Sequence, residues 1–174
     1  MISVSTRQKG FTIVELLIVI VIIAILAAIT IVAFNGVQQR ARDAKRKQDV
    51  AQIAKLLSIY ELDNGPMYIG SNCGSGGNGS GWFNYPYGGG YEAMDQCLVN
   101  AGVTNTKLRD TQITCSGLTC RAYMKYSCIQ SGRTATYVYA NLETGTHDGT
   151  ELNGTCNTGI ATLYGMNYYV QVSN

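Results

Sequence analysis

A single carboxylate interrupts the most apolar stretch of this 174-residue chain. Residues 11–34 read FTIVELLIVIVIIAILAAITIVAF, and Glu15 is the charged residue among them. A carboxylate within a membrane helix costs a few kcal/mol, so it is by default functional and needs a partner. We expect the α-amino group of Phe11 to be that partner once the residues before it are removed, on the same chain or an adjacent copy. The alternative is that the helix dipole and head-group water stabilise Glu15.

The cysteines form a second group of residues with chemistry of their own. All six lie well after the apolar run, between residues 73 and 156, and their even number indicates an oxidising compartment and disulfides. The closest spacing is Cys115 to Cys120 and the one histidine is His147, so we expect neither a metal site nor a cofactor. Sequence alone does not choose among the pairings; we favour Cys73 with Cys97, Cys115 with Cys120, and Cys128 with Cys156.

The apolar run predicts a transmembrane helix over residues 11–34. At 1.5 Å per residue it is long enough to cross a hydrocarbon core about 30 Å thick. A secretory signal cleaved near Ala27 and Ala28 is the less favoured interpretation, because such signals have an apolar core of about 7 to 15 residues.

The basic residues give a conflicting signal about orientation. Two of them, Arg7 and Lys9, precede the apolar run, and five follow it closely, so their count favours a cytoplasmic C-terminal side. The six cysteines favour the opposite orientation. The second cluster could contact anionic lipid or nucleic acid, but Asp43 and Asp49 interrupt it and no aromatic residues are interleaved. We therefore interpret it as a solvated helix face; its members are Arg40, Arg42, Lys45, Arg46 and Lys47.

The junction before the apolar run decides the orientation. The residues KGFTIVE at 9–15 resemble the processing site of type IV prepilins, in which a short basic leader ends in glycine and the mature chain carries glutamate at its fifth position. The resemblance implies that a membrane aspartyl peptidase cuts between Gly10 and Phe11 and that the new amino group of Phe11 is methylated. The chain departs from this family in having Ala24 and Val32 where many relatives carry glycine and proline, so the resemblance does not extend to local melting of the helix.

The resemblance also implies a function and a location. We expect a structural subunit of a type IV pilus-like filament, serving adhesion, twitching motility or DNA uptake. It would begin as a single-pass membrane precursor with a cytoplasmic leader and end at the cell surface. Its partners would be other pilin subunits, the membrane and the prepilin peptidase and methylase; a surface or DNA ligand is open. The alternatives are a pseudopilin of a type II secretion or competence system and a membrane-tethered, disulfide-rich binding domain.

Catalytic motifs are absent from the sequence, so we expect no enzymatic activity. There is no nucleophile motif, phosphate-binding loop or histidine cluster. His147 with Asp148 and Glu151 offers oxygen and nitrogen ligands for a cation, but a solvated hairpin turn is the favoured interpretation.

The remaining chain predicts an α+β fold. After the leader at 1–10 and the membrane helix at 11–34, residues 35–64 continue as an amphipathic helix that stops at Asn64-Gly65-Pro66. Its apolar face consists of Val50, Ile53, Ala54, Leu57 and Tyr60.

Beyond this helix we expect a loop-rich region and then a sheet. Residues 65–118 predict a glycine-rich surface loop and a short helix near 91–102. Residues 119–174 predict an antiparallel sheet of three or four strands, including 119–130 and 134–143. The amphipathic helix would cover one face of this sheet.

Overall fold

A computed structural model describes residues 10–65, 72–74, 79–83, 91–108, 123–130, 133–145 and 164–172. The chain divides into two compact units, residues 1–39 and 40–174. The elements confirm the α+β class, and in chain order they are α1 (Ile13–Asn64), β1 (Gly81–Trp82), α2 (Met94–Asn100), β2 (Tyr123–Gln130), β3 (Arg133–Ala140) and β4 (Tyr168–Gln171).

Helix α1 runs for 52 residues without interruption, including through Asn35 and Gly36. It ends where the sequence predicts: Gly65 has a positive φ of 75°, and its N–H donates to the carbonyl of Glu61 at 3.1 Å. Glycine adopts this left-handed conformation without steric cost, which makes it a good helix terminator. The prediction of one long helix to about residue 63 is confirmed.

The strands form one antiparallel sheet in the order β1-β2-β3-β4. Strands β2 and β3 pair from Tyr123 with Ala140 to Gln130 with Arg133. Strand β3 ends at Ala140, three residues before the predicted limit at 143. The chain leaves the sheet there because residues 141–145 bind side chains of α1 and Asn167 instead of a neighbouring strand.

The helix-facing side of the sheet carries the main core of the second unit. Val50, Ile53 and Leu57 of α1 are completely buried among sheet residues and α2. This confirms the predicted apolar face of the helix, although Tyr60 is only partly buried. The residues that pack against this helix face in the core include Phe83, Met94, Leu98, Tyr123, Val138, Ala140 and Val172.

The opposite side of the sheet is also buried, and here the prediction of one covered face is wrong. Met124, Tyr137 and Tyr139 alternate with the helix-facing residues and form a second core with Trp82 and Met166. Apolar and aromatic side chains on both faces of a strand favour burial on both sides.

The prediction of a surface loop over 65–90 is also wrong in part. Gly81 and Trp82 form β1, which pairs with Lys125 and Met124 and extends the sheet outside the expected range 119–174. Trp82 and Phe83 are buried in the two cores, because burying large aromatic rings offsets the entropy lost by ordering the loop.

A disulfide joins the start of the glycine-rich segment to α2. Cys73 and Cys97 are bonded, which is the favoured pairing. Cys128 is also disulfide-bonded, but its partner lies outside the described residues. Cys115, Cys120 and Cys156 lie outside them as well, so the other two pairings stay predictions.

Candidate functional site

The expected cleavage site lies just before the first turn of α1. The helix begins at Ile13, so the peptide bond between Gly10 and Phe11 is in non-helical backbone. Both residues are exposed, and a Cβ added to Gly10 would have no atom within 4 Å. Nothing in the described part of the chain therefore demands glycine at position 10. A requirement for glycine would come from the enzyme that cuts there.

Thr12 and Glu15 close the helix N-terminus with reciprocal hydrogen bonds. The Glu15 carboxylate accepts from the Thr12 backbone N–H at 2.8 Å and from the Thr12 hydroxyl at 2.7 Å. The Glu15 N–H donates to the Thr12 hydroxyl at 3.2 Å. This is a capping box, which satisfies backbone donors that the helix itself leaves unpaired.

The capping box changes how Glu15 is understood. Sequence reasoning missed Thr12, although a threonine three residues before a glutamate at the start of an apolar run is the signal for this motif. In the uncleaved chain the Phe11 nitrogen belongs to a peptide bond. The predicted ion pair between Glu15 and the Phe11 amino group therefore stays a prediction.

The first unit exposes a large apolar surface. The most apolar 18-residue window of α1 has a mean hydropathy of 3.4, and none of it is buried within the chain. Ile13, for example, is 80% exposed and Ile29 is 65% exposed. Apolar surface on this scale marks an interaction site or a membrane segment, and α1 is long and apolar enough to span a membrane.

The basic cluster after this surface is largely neutralised within the second unit. Arg42 binds Glu143 with two hydrogen bonds, Nε to Oε1 at 2.7 Å and Nη2 to Oε2 at 2.6 Å. Arg46 is buried, lies 3.1 Å from the same carboxylate and donates to the carbonyl of Asn141 at 3.2 Å. Arginine suits this role because its planar donors match a carboxylate in pairs. Arg42 in particular holds the pKa of Glu143 below its ordinary value.

Asp43 binds the same loop from the helix side. Its carboxylate accepts from the backbone N–H groups of Glu143 and Thr144 at 2.7 and 2.8 Å and from the Thr144 hydroxyl at 2.5 Å. Burial would raise the pKa of Asp43, but the bonds from Thr144 and Glu143, with Arg46 nearby, outweigh it and lower the pKa. Asp43 thus orders the chain where it leaves β3.

A further contact joins the helix to the sheet through Asp49. The Tyr123 hydroxyl donates to this carboxylate at 2.6 Å, and the Lys45 ammonium lies 2.7 Å from the same oxygen. Asp49 and Tyr123 are buried, whereas the Lys45 side chain is about half exposed. The two aspartates that interrupt the basic cluster are therefore structural.

Arg40 and Lys47 are the two cluster members without a carboxylate partner among the described residues. Both are exposed, and the Lys47 ammonium lies 5.4 Å from the ring centre of Tyr168. Three of the five cations are thus paired with carboxylates in the folded second unit.

Lys125 of β2 is a buried cation. It is 1% exposed, and its ammonium donates to the carbonyl of Gly79 at 2.8 Å. Burial lowers the pKa of Lys125 to about 8, against the opposing effect of Glu61. The buried ammonium therefore anchors the backbone just before β1.

Metal chemistry has no support within the described ranges, where no cluster of His, Cys, Asp or Glu side chains could hold an ion. His147, Asp148 and Glu151 lie outside those ranges.

Comparison with known proteins points to one class of N-terminus. Residues 5–31 match the prokaryotic N-terminal methylation motif. The chain carries a prepilin-type N-terminus. This prepilin-type segment comprises the Gly10–Phe11 junction, the capping box and most of the exposed apolar surface of α1.

Two kinds of curated relative are similar over about a third of this chain. Type II secretion system core protein G is 36% identical over 60 residues in Escherichia coli K12 and 38% identical over 58 residues in Aeromonas hydrophila. The type IV wide pilus major component PilA4 of Thermus thermophilus is 45% identical over 58 residues.

The similarity does not extend over whole proteins. The aligned segments cover 34% of this chain with the Escherichia coli protein and 33% with the other two. They span 41%, 41% and 44% of those relatives. No solved structure matches the chain significantly.

Proposed function

We propose that this protein is a structural subunit of a type IV pilus-like extracellular filament. The observation that carries the proposal is the prepilin-type N-terminus joined to a helix whose apolar side chains are exposed in the isolated chain. Such a surface needs lipid before assembly and the helices of other subunits after it. The filament would act in adhesion, twitching motility or DNA uptake.

Processing would convert the membrane-held precursor into an assembly-competent subunit. A prepilin peptidase would cut between Gly10 and Phe11, and the new amino group of Phe11 would be methylated. The exposed, non-helical backbone at this bond supports its access to a peptidase. The freed ammonium of Phe11 would then pair with Glu15 of an adjacent subunit, so that two charges are neutralised together within the filament core. The mature filament would lie at the cell surface, with a cytoplasmic leader only on the precursor.

A pseudopilin of a type II secretion system is the second candidate. It is favoured by the similarity to core protein G of several bacteria. The two candidates share the N-terminal chemistry and differ in whether the filament extends from the cell. A membrane-tethered binding domain is a third possibility, and it predicts that the leader is retained.

Intact-mass and N-terminal analysis of protein sheared from the cell surface tests these candidates. A pilus subunit is recovered in the sheared fraction and starts at methylated Phe11. A pseudopilin starts at the same residue but stays with the cell envelope at its natural abundance. A chain that starts at Met1 and is found only in membranes would overturn processing, and one that starts near Ala28 would indicate a secretory signal.

A substitution at Gly10 tests the cleavage step separately from folding. Replacing Gly10 with a larger residue meets no steric obstacle within the described chain, so Gly10→Val tests the peptidase and not the fold. We expect this variant to accumulate in membranes as uncleaved precursor.

A further inference from the structure

We propose that the exposed face at the C-terminal end of α1 docks a second copy of this chain, with Lys55 of one copy paired to Asp63 of the next. The inference rests on the assembly step of the proposed function and names a contact for that step in the second unit. All of its residues lie within that unit, so the contact is separate from the apolar helix of the first unit.

The docking face consists of Lys55, Ile59, Leu62 and Asp63. Ile59 follows Lys55 by four residues, and Leu62 and Asp63 follow Ile59 by three and four. This spacing places the four side chains on one side of the helix, opposite the core positions. Leu62 is 85% exposed and Ile59 is 38% exposed, and both charged residues are exposed as well. Two large aliphatic side chains thus meet solvent beside two opposite charges.

Neither charge of the docking face is paired within the described part of its own chain. The other exposed carboxylates of that part, on Glu15, Glu92 and Glu143, each accept a hydrogen bond, whereas Asp63 accepts none. Lys55 has no hydrogen bond or ion pair there either. The two cannot pair with each other within one helix, because a separation of eight residues places them about 12 Å apart along the axis, beyond the reach of both side chains.

The presence of both charges favours a second copy as the occupant. A partner that neutralises both must offer one cation and one anion beside an apolar contact, and the docking face itself has that composition. An anionic surface, such as a membrane or a nucleic acid, would attract Lys55 but repel Asp63.

The same charges also fit a contact that repeats. Subunits of a filament are related by one repeated operation, so two different patches meet at each contact and the series continues. A copy that uses Asp63 towards one neighbour keeps Lys55 for the other. Packing Ile59 and Leu62 between copies would remove apolar surface from water and strengthen the adjacent ion pair by excluding solvent.

A carbodiimide, which couples a carboxylate to an amine without a spacer, tests the contact in sheared filaments and in isolated cell envelopes. We expect covalent dimers and longer oligomers, and mass spectrometry of their digest should find the Lys55 peptide joined to the Asp63 peptide. K55R is the matched control, because arginine keeps the positive charge but has no amine to couple. This variant should assemble as wild type does and lose the crosslink.

Charge reversal measures what the pair contributes to assembly. K55D and D63K should each lower the yield of assembled protein at least about tenfold, because like charges then face each other between copies. The double variant K55D/D63K should restore most of the yield, since the opposite charges meet again. Thermal unfolding of the solubilised variants should match wild type, because neither side chain has a partner in the described part of its own chain.

Absence of the Lys55–Asp63 crosslink from both filaments and envelopes would overturn the inference. Wild-type yield in both single reversals would overturn it as well, and so would a double reversal as defective as the single ones. Filaments that lack the crosslink leave the proposed function intact. The crosslink in envelopes without sheared filaments supports the contact and counts against a pilus, so the two proposals fail separately.

Discussion

Arg42 and Glu143 form a two-pronged ion pair between helix α1 and the loop that follows β3. Their side chains are about 30% exposed, and the buried Arg46 shares the Glu143 carboxylate. The pair thus holds together two parts of the chain that are 101 residues apart in sequence.

Removing the charge of Glu143 should destabilise the second unit. We expect Glu143→Gln to lower the free energy of unfolding by about 1–2 kcal/mol, because Arg42 and Arg46 both lose a charged acceptor. Thermal unfolding of the full chain in detergent micelles measures the effect. Asp63→Asn is the matched control, since Asp63 is exposed on the same helix. Equal stability of the two variants would contradict a structural role for the ion pair.

Acid should loosen the same contact. Asp43 and Glu143 have pKa values below the ordinary 3.8 and 4.5, so the folded state binds fewer protons than the unfolded state in that range. The two carboxylates therefore add to the free energy of unfolding at pH values above their ordinary pKa values. This added stability is lost as pH falls through their lower pKa values in the folded state. We expect stability to drop below about pH 4.5, and the drop to be shallower in Asp43→Asn. A variant with the wild-type pH dependence would exclude Asp43 as a cause.

Alkaline pH should relieve the cost of burying Lys125. Its pKa falls from 10.5 to about 8 in the folded chain, so the unfolded state binds more protons between those values. The free-energy cost of burying the Lys125 ammonium is therefore fully present below pH 8 and disappears as pH rises towards 10.5. This cost is at most about 3 kcal/mol. The stability of wild type relative to Lys125→Met should rise from pH 7 to 10. Restricting the comparison to pH 10 or below avoids the buried tyrosines Tyr137 and Tyr139, whose pKa values burial raises above 10.0.

Gly74 should tolerate substitution less well than Gly102. Both have a positive φ, 73° and 72°, so alanine is strained at either position. A Cβ at Gly74 would also lie 2.8 Å from the Ser80 carbonyl oxygen, whereas one at Gly102 would have no atom within 4 Å. We expect Gly74→Ala to cost more than Gly102→Ala, measured by chemical denaturation. Equal costs would contradict the close approach of Gly74 to the Ser80 carbonyl.

Glu15 can be dissected with two substitutions. Glu15→Val should leave cleavage and membrane insertion intact but reduce filament yield, because the carboxylate is lost while the Gly10–Phe11 site remains. Glutamine can take the place of glutamate in a capping box but carries no charge. If the ion pair with Phe11 drives assembly, E15Q assembles as poorly as E15V in sheared fractions. Normal assembly of E15Q would instead assign Glu15 to capping alone.

Several elements were predictable because their signals are local. The apolar run, the amphipathic repeat after it and the stop at Asn64-Gly65 together define α1. Alternation along 119–130 and 134–143 predicted the two strands that the structure pairs as β2 and β3. Each signal is contained within a few consecutive turns or residues, so neighbouring sequence is enough to read it.

Other features were missed because they depend on residues far apart in the chain. The sequence did not single out Lys125, yet this lysine is 1% exposed and donates to the carbonyl of Gly79, 46 positions earlier in the chain. The pairing of Gly81 and Trp82 with β2 overrode a glycine-rich composition that favours a loop. Burial of aromatic side chains decides such cases, and local propensity does not report it.

The amino-acid sequence by itself determined the prepilin-type junction, the long helix and the α+β class, because each is encoded by residue type and spacing along a continuous segment. Only the tertiary structure decided which cations of the basic cluster are paired and which remain exposed. The pairings of Arg42 and Arg46 with Glu143 join residues about a hundred positions apart, and such an ion pair forms only where folding brings the two charges within a few ångströms.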